Sequence, residues 1–157
     1  MNAPSTVEYL SNHAFFGGLS AETLSFLSNC CSRVEIAKGH VLFHQGETAD
    51  KFYVLLSGNI SIEMPAILGP SLVIQSLGQN QVLGWSWLIS PYKWSFQAKA
   101  TEDADLLRFD GKAILAQCEL DPKFGYELLK KFAELMSVRL DSARQKMMEE
   151  WNPVGFA

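Results

Sequence analysis

The chain has 157 residues, 48% apolar, 19% charged and 11% aromatic, with 13 basic against 17 acidic side chains and a net charge of −4. A chain of this size buries roughly 70% of its unfolded surface and needs neither disulfides nor a structural metal, and high apolar content with small net charge excludes a disordered chain. The acidic balance, without a run of Lys or Arg, argues against nucleic acid as a partner, because non-specific affinity for phosphate backbones comes from basic surface.

Residues 5–13 and 20–31 read as two short helices. Ser5 or Thr6 can cap the first, and Ser20-Ala21-Glu22-Thr23 opens the second with an N-cap and an early acid. Phe15-Phe16-Gly17-Gly18-Leu19 separates them, and Leu24, Leu27 and Cys31 form an apolar stripe on the second. From residue 33 to about 109 the period changes to two. The strands expected there hold Val34 and Ile36, Val41 and Phe43, Phe52 to Leu56, Ile60 and Ile62, Leu72 to Ile74, Val82, Phe96 and Ala98, and Leu106 to Phe109. Turn signals at Lys38-Gly39, Gln45-Gly46-Glu47, Ser57-Gly58-Asn59 and Leu77-Gly78-Gln79 separate them, as in a small antiparallel sandwich or barrel.

A long helix is predicted over 122–151, capped by Asp121 with Pro122 at its first position. Phe124, Leu128, Leu129, Phe132, Leu135, Met136, Leu140, Ala143 and Met147 recur on it at three- and four-residue steps. So long a helix exceeds the width of a small barrel. Its far half is expected to pack on the same helix of a second copy as a short coiled coil, through Leu129, Phe132, Met136, Leu140, Ala143 and Met147. The chain thus divides into a helical lead-in (1–32), a β-barrel core (33–112) and C-terminal helices (113–157), all within one domain.

Cys30, Cys31 and Cys118 are an odd number of thiols with two adjacent, which fits reduced cysteines in a cytoplasmic protein. Cys30-Cys31 reads as a buried helical pair, since no Cys-x-x-Cys spacing or basic flank marks a redox centre. The first six residues lack the charge and apolar stretch of a secretory signal, and no window holds the roughly 18 apolar residues of a membrane span. His40 and His44 are four apart, but on a strand that separation is roughly 13 Å, too far for one zinc ion, so no metal is expected. His13 reads as a helix-end residue. No hydrolase, metalloprotease or nucleotide-loop motif points to an enzyme.

Two helices, eight short strands with glycine turns and a long helix carry three further signatures: Gly39 with Leu42-Phe43-His44-Gln45-Gly46-Glu47, then Phe52-Tyr53-Val54-Leu55-Leu56-Ser57-Gly58-Asn59-Ile60, then Val82-Leu83-Gly84. This arrangement, over roughly residues 10–150, resembles the cyclic nucleotide-binding domain of the Crp/Fnr family. The resemblance implies a mostly β, jelly-roll-like barrel with flanking helices. It also implies a phosphate cassette starting at Gly84, where successive backbone N–H groups face an anion and run into a helical turn.

Nucleotide-binding members of that family add a Glu after the glycine for the ribose 2′-hydroxyl and an Arg nine or ten residues later for the cyclic phosphate. Here those positions hold Trp85 and Tyr92, with Lys93 alongside. Loss of the guanidinium removes a contact worth roughly 1.5–3 kcal/mol, and Lys restores only part of it. The segment Gly84-Trp85-Ser86-Trp87-Leu88-Ile89-Ser90-Pro91-Tyr92-Lys93-Trp94 instead holds three of the four tryptophans, a density that lines an apolar pocket or fills one.

The candidate ligand-binding residues are therefore Gly84, Trp85, Ser86, Trp87, Tyr92, Lys93 and Trp94. Ser142 and Arg144 are the polar candidates from the long helix, which in the family lends a residue over the ligand. The charges of that helix, Arg139 among them, otherwise read as a solvated face. Only Asn152 to Ala157 follow the helix, too few for the family's winged helix-turn-helix, so the expectation is a stand-alone dimeric sensor acting on a protein partner. A cyclic nucleotide or another small molecule is its candidate ligand. The alternative is a ligand-free interaction scaffold with a pocket plugged by tryptophans.

Overall fold

The computed structural model describes residues 5–150. Ser5 caps α1 (Thr6–Asn12) reciprocally: its hydroxyl accepts from the Glu8 N–H at 3.2 Å, and the Glu8 carboxylate accepts from the Ser5 N–H at 2.9 Å. Ser20 caps α2 (Ala21–Asn29) through the Thr23 N–H. That helix stops short of its predicted end. Cys30 is its C-cap and Cys31 opens β1 (Cys31–Ile36), so the two thiols mark a helix–strand junction rather than a helical pair. Burial pushes both thiols up, which suppresses the reactive thiolate.

The remaining strands are β2 (Val41–Phe43), β3 (Lys51–Ser57), β4 (Ile60–Met64), β5 (Leu72–Leu77), β6 (Val82–Leu83), β7 (Gln97–Ala100) and β8 (Ala104–Asp110). They form two four-stranded antiparallel sheets, ordered β1-β8-β3-β6 and β2-β7-β4-β5. Phe96, expected within a strand, lies one residue before β7. Phe52 sits opposite Phe109 in the first sheet, and Ile60 opposite both Ala100 and Leu77 in the second.

The first sheet is covered on both faces, which explains why Phe52 to Leu56 is a continuous apolar run and not an alternating one. Tyr53, Leu55, Ala104 and Leu106 point into the barrel, while Phe52, Val54, Leu107 and Phe109 point outward against the helices. On that outer side Phe16, Leu10 and Leu27 from the lead-in meet Ile114 and Phe124 in one buried cluster.

After β8 the chain turns directly into α3 (Gly111–Leu120), capped by Asp110 through the Ala113 N–H at 3.2 Å. The barrel therefore begins with Cys31 and ends at Asp110, two residues outside and two inside the limits read from the sequence. Asp121 then accepts from the Phe124 N–H at 3.3 Å and opens α4 (Pro122–Glu150), 29 residues long. Trp151, the predicted helix end, and the 152–157 tail lie outside the described residues.

The apolar residues of α4 separate into two stripes. Phe124, Leu128 and Phe132 are fully or almost fully buried against the barrel's outer face. Phe132 therefore does not belong to a dimer seam: its ring lies 5.0 Å from Phe15, 5.1 Å from Phe52 and 5.2 Å from Trp87. The second stripe, Tyr126, Leu129, Ala133, Met136, Leu140, Ala143 and Met147, alternates steps of three and four over three heptads. Leu129 is 50% exposed, and Leu140 and Met147 are each 61% exposed.

Candidate functional site

Gly84 leaves β6 with φ +101°, a conformation that side chains disfavour. A Cβ there would also lie 2.8 Å from the Trp94 ring, so the glycine lets the indole lie flat beneath the chain. Trp94 stacks on Phe43 with centroids 3.7 Å apart and planes 11° from parallel. Beyond Gly84 the backbone makes two successive turns, closed by the Leu88 N–H on the Trp85 carbonyl and the Tyr92 N–H on the Ile89 carbonyl, each at 3.0 Å, and no helix follows before β7.

Above Trp94 lies a cavity of about 590 Å³, bounded by Gly84, Trp85, Ser86, the inner faces of β4 and β5, and α4. This volume falls within the range of small-molecule sites. Met136, Leu140 and Ala143, three residues of the exposed stripe of α4, also line it. Ser142 lines it too, with its hydroxyl donating to the Val138 carbonyl at 3.1 Å.

Four of the residues predicted for the site lie elsewhere. Trp87 is 1% exposed and stacks on Phe52 at 5.1 Å on the far side of the sheet, where its indole N–H has no partner. The turn after Gly84 sends Trp85 to the cavity and Trp87 to the core. Tyr92 is 40% exposed with φ +57°, and Lys93 is exposed and bridges to Thr48. Backbone bonds from Ala49 to Tyr92 and between Trp94 and Glu47 hold this stretch beside the β2–β3 connection, so Trp94 points in and Lys93 out. Arg144 lies off the lining face of α4, exposed and paired with Asp141 at 3.6 Å.

The cation that does reach the cavity is Arg139, although its interleaving with acids predicts a solvated face. It shares a helix face with Met136 and Ala143. Its guanidinium lies 5.5 Å from the centroid of the Trp85 ring and donates to the Val82 carbonyl. Burial without a counter-charge pushes its pKa down to about 10, so it remains protonated at neutral pH. Lys146 stands at the rim, donating to the Val73 and Ile74 carbonyls at 3.2 and 3.4 Å. Among the described residues, no carboxylate lines the cavity.

The fold is a jelly-roll barrel of two four-stranded antiparallel sheets with flanking helices. The cyclic nucleotide-binding domain family matches residues 33–121, and the chain belongs to that family. A CRP-like cAMP-activated global transcriptional regulator of Mycobacterium tuberculosis is 22% identical over 126 residues, which are 80% of this chain and 56% of the regulator. A cyclic nucleotide-binding domain from Methylobacillus flagellatus superposes with a TM-score of 0.77 at 17% identity, covering 93% of this chain and 82% of that one. The sensor domain of the transcriptional regulator DNR from Pseudomonas aeruginosa superposes with a TM-score of 0.69 at 26% identity, covering 85% and 90%. The chain spans a little over half the length of that Mycobacterium tuberculosis regulator and of a cyclic AMP receptor protein from Thermus thermophilus, which it also matches. Among the described residues no helix is long and apolar enough to cross a membrane.

Proposed function

We propose that this chain is a non-catalytic ligand-sensing module in which occupancy of the cavity changes the posture of α4 and, through a homodimer of α4 helices, the surface offered to a protein partner. The supporting observation is that Met136, Leu140 and Ala143 serve two surfaces at once: they line the cavity and occupy the heptad stripe. A ligand that contacts them differently in two helix postures must shift the balance between those postures. Three heptads are the shortest pattern that supports a coiled coil on sequence grounds. Gly84, Trp85, Ser86 and Trp94 are the barrel's contribution to the ligand site, and Arg139 and Ser142 are the helix's.

The plugged-scaffold alternative draws less support, because Trp87 is withdrawn into the outer core and Trp94 lies flat on Phe43, leaving the volume above Trp94 open. The test is sedimentation at micromolar protein, with Leu140→Glu as the disrupted seam, alongside tryptophan fluorescence titrated with cyclic AMP and cyclic GMP. A wild-type dimer that Leu140→Glu converts to monomer is expected, and a wild-type monomer throughout overturns the dimer helix. Saturable quenching at micromolar nucleotide would establish that the backbone amides suffice without Glu and Arg. No change to millimolar would exclude cyclic nucleotides as the ligand.

A further inference from the structure

We infer that the cavity takes a small organic anion with a flat apolar body, held at Arg139 on α4 and not at the Gly84 turn. This rests on the sensing role proposed above and names the chemistry of its ligand. The walls are Phe43, Leu83, Trp85, Trp94 and Phe96, which offer ring faces and edges to an aromatic or fused-ring body. A ribose would instead set its hydroxyls against those walls, and the position that would receive them holds Trp85, so their desolvation would go uncompensated; the position that would receive a cyclic phosphate holds an outward-facing Tyr92, which leaves any anion in the cavity to Arg139.

Charge selects the sign of the ligand. Arg139 has five N–H donors, of which one meets the Val82 carbonyl, and no Asp or Glu among the described residues forms an ion pair with it. Its place over the Trp85 ring and its bond to the Val82 carbonyl hold the guanidinium at the cavity wall before any ligand arrives. Lys146 adds a second positive charge at the rim with only backbone carbonyls as partners. A carboxylate or sulfonate supplies the missing counter-charge while its ring system fills the apolar space.

The experiment uses the full chain and two probes of matched shape, naphthalene-1-acetate and its neutral amide, followed by tryptophan fluorescence and calorimetry, with cyclic AMP in parallel. The acid is expected to bind about tenfold or more tightly than the amide, the ratio that a charge-assisted contact supplies. Arg139→Gln should remove that preference and leave amide binding intact. Equal affinities for acid and amide in the wild type overturn the inference, as does a preference that survives Arg139→Gln. The wild-type ratio decides even where that variant fails to fold. Cyclic AMP binding more tightly than the acid, insensitive to Arg139→Gln, would overturn the ligand class and leave the sensing role standing. No binding of any of the three probes at millimolar would overturn both.

Discussion

The two sides of the first sheet are built from similar residues and end in opposite states. On the outer side Phe52 and Phe109 stack at 4.4 Å and 2° from parallel, Trp87 lies at 5.1 Å, and helices from both ends of the chain close over them. On the barrel side Phe43 and Trp94 stack as tightly, at 3.7 Å, yet about 590 Å³ stays open above them. The outer aromatics are fully or almost fully buried under apolar side chains of the helices. The inner ones are roofed by a stripe of α4 that mixes Met136 and Leu140 with Arg139. A guanidinium that lacks a counter-charge keeps its surroundings from collapsing, because complete burial would strip its remaining hydration.

Substitutions on the two sides should separate accordingly. Phe132→Ala removes a ring at the centre of the closed side and should cost about 3–5 kcal/mol in urea unfolding. A loss below about 1 kcal/mol would mean that the cluster is loosely packed and that Phe132 is available to a partner. Gly84→Ala meets both a positive φ and the Trp94 ring, and should cost about 1–3 kcal/mol while red-shifting tryptophan emission as that indole is displaced. An unchanged spectrum would show that Trp94 does not rest on Gly84. Leu140→Ala should cost less than about 1 kcal/mol of monomer stability, since the side chain is 61% exposed, while weakening association in sedimentation.

His13 gives the smallest and most specific contrast. Its Nδ1 accepts from the Phe15 N–H at 3.0 Å, so its Nε2–H donates to the Asn80 carbonyl at 2.6 Å and the ring is neutral. Burial holds its pKa below the ordinary value, and the bond to Asn80 opposes this more weakly. The unfolded chain therefore takes up a proton below about pH 6.5 that the folded chain refuses. This contribution to stability is complete above that pH and is lost as pH falls towards the folded pKa. Urea unfolding at about pH 7.5 and about pH 5.5 should show a smaller acid loss in His13→Gln than in the wild type. Identical losses would exclude His13 as a source of it.

Much of the fold was legible in the sequence because the strands are short and their turns are glycine-marked. The run Phe52 to Leu56 breaks alternation because its strand is buried on both faces. The site was less legible for two physical reasons. Trp85 and Trp87 diverge because of one hydrogen-bonded turn, and no period predicts the direction of a side chain on a turn. The apolar positions of α4 form two stripes that a single spacing merges, which placed buried Phe132 beside exposed Leu129. Arg139 carried a usable signal: projected at 100° per residue, it falls on the face of Met136 and Ala143, apart from Arg144.

The four residues Asn80 to Leu83 are gripped from both directions. The Tyr9 hydroxyl donates to the Asn80 side chain at 2.7 Å and His13 holds the Asn80 carbonyl, while Arg139 holds the carbonyl of Val82, two residues on. The first and last helices are thus knotted to one short strap at the rim of the cavity. Both ends of the chain share one anchor, and the position of β6, whose Leu83 lines the cavity, depends on the lead-in as well as on α4.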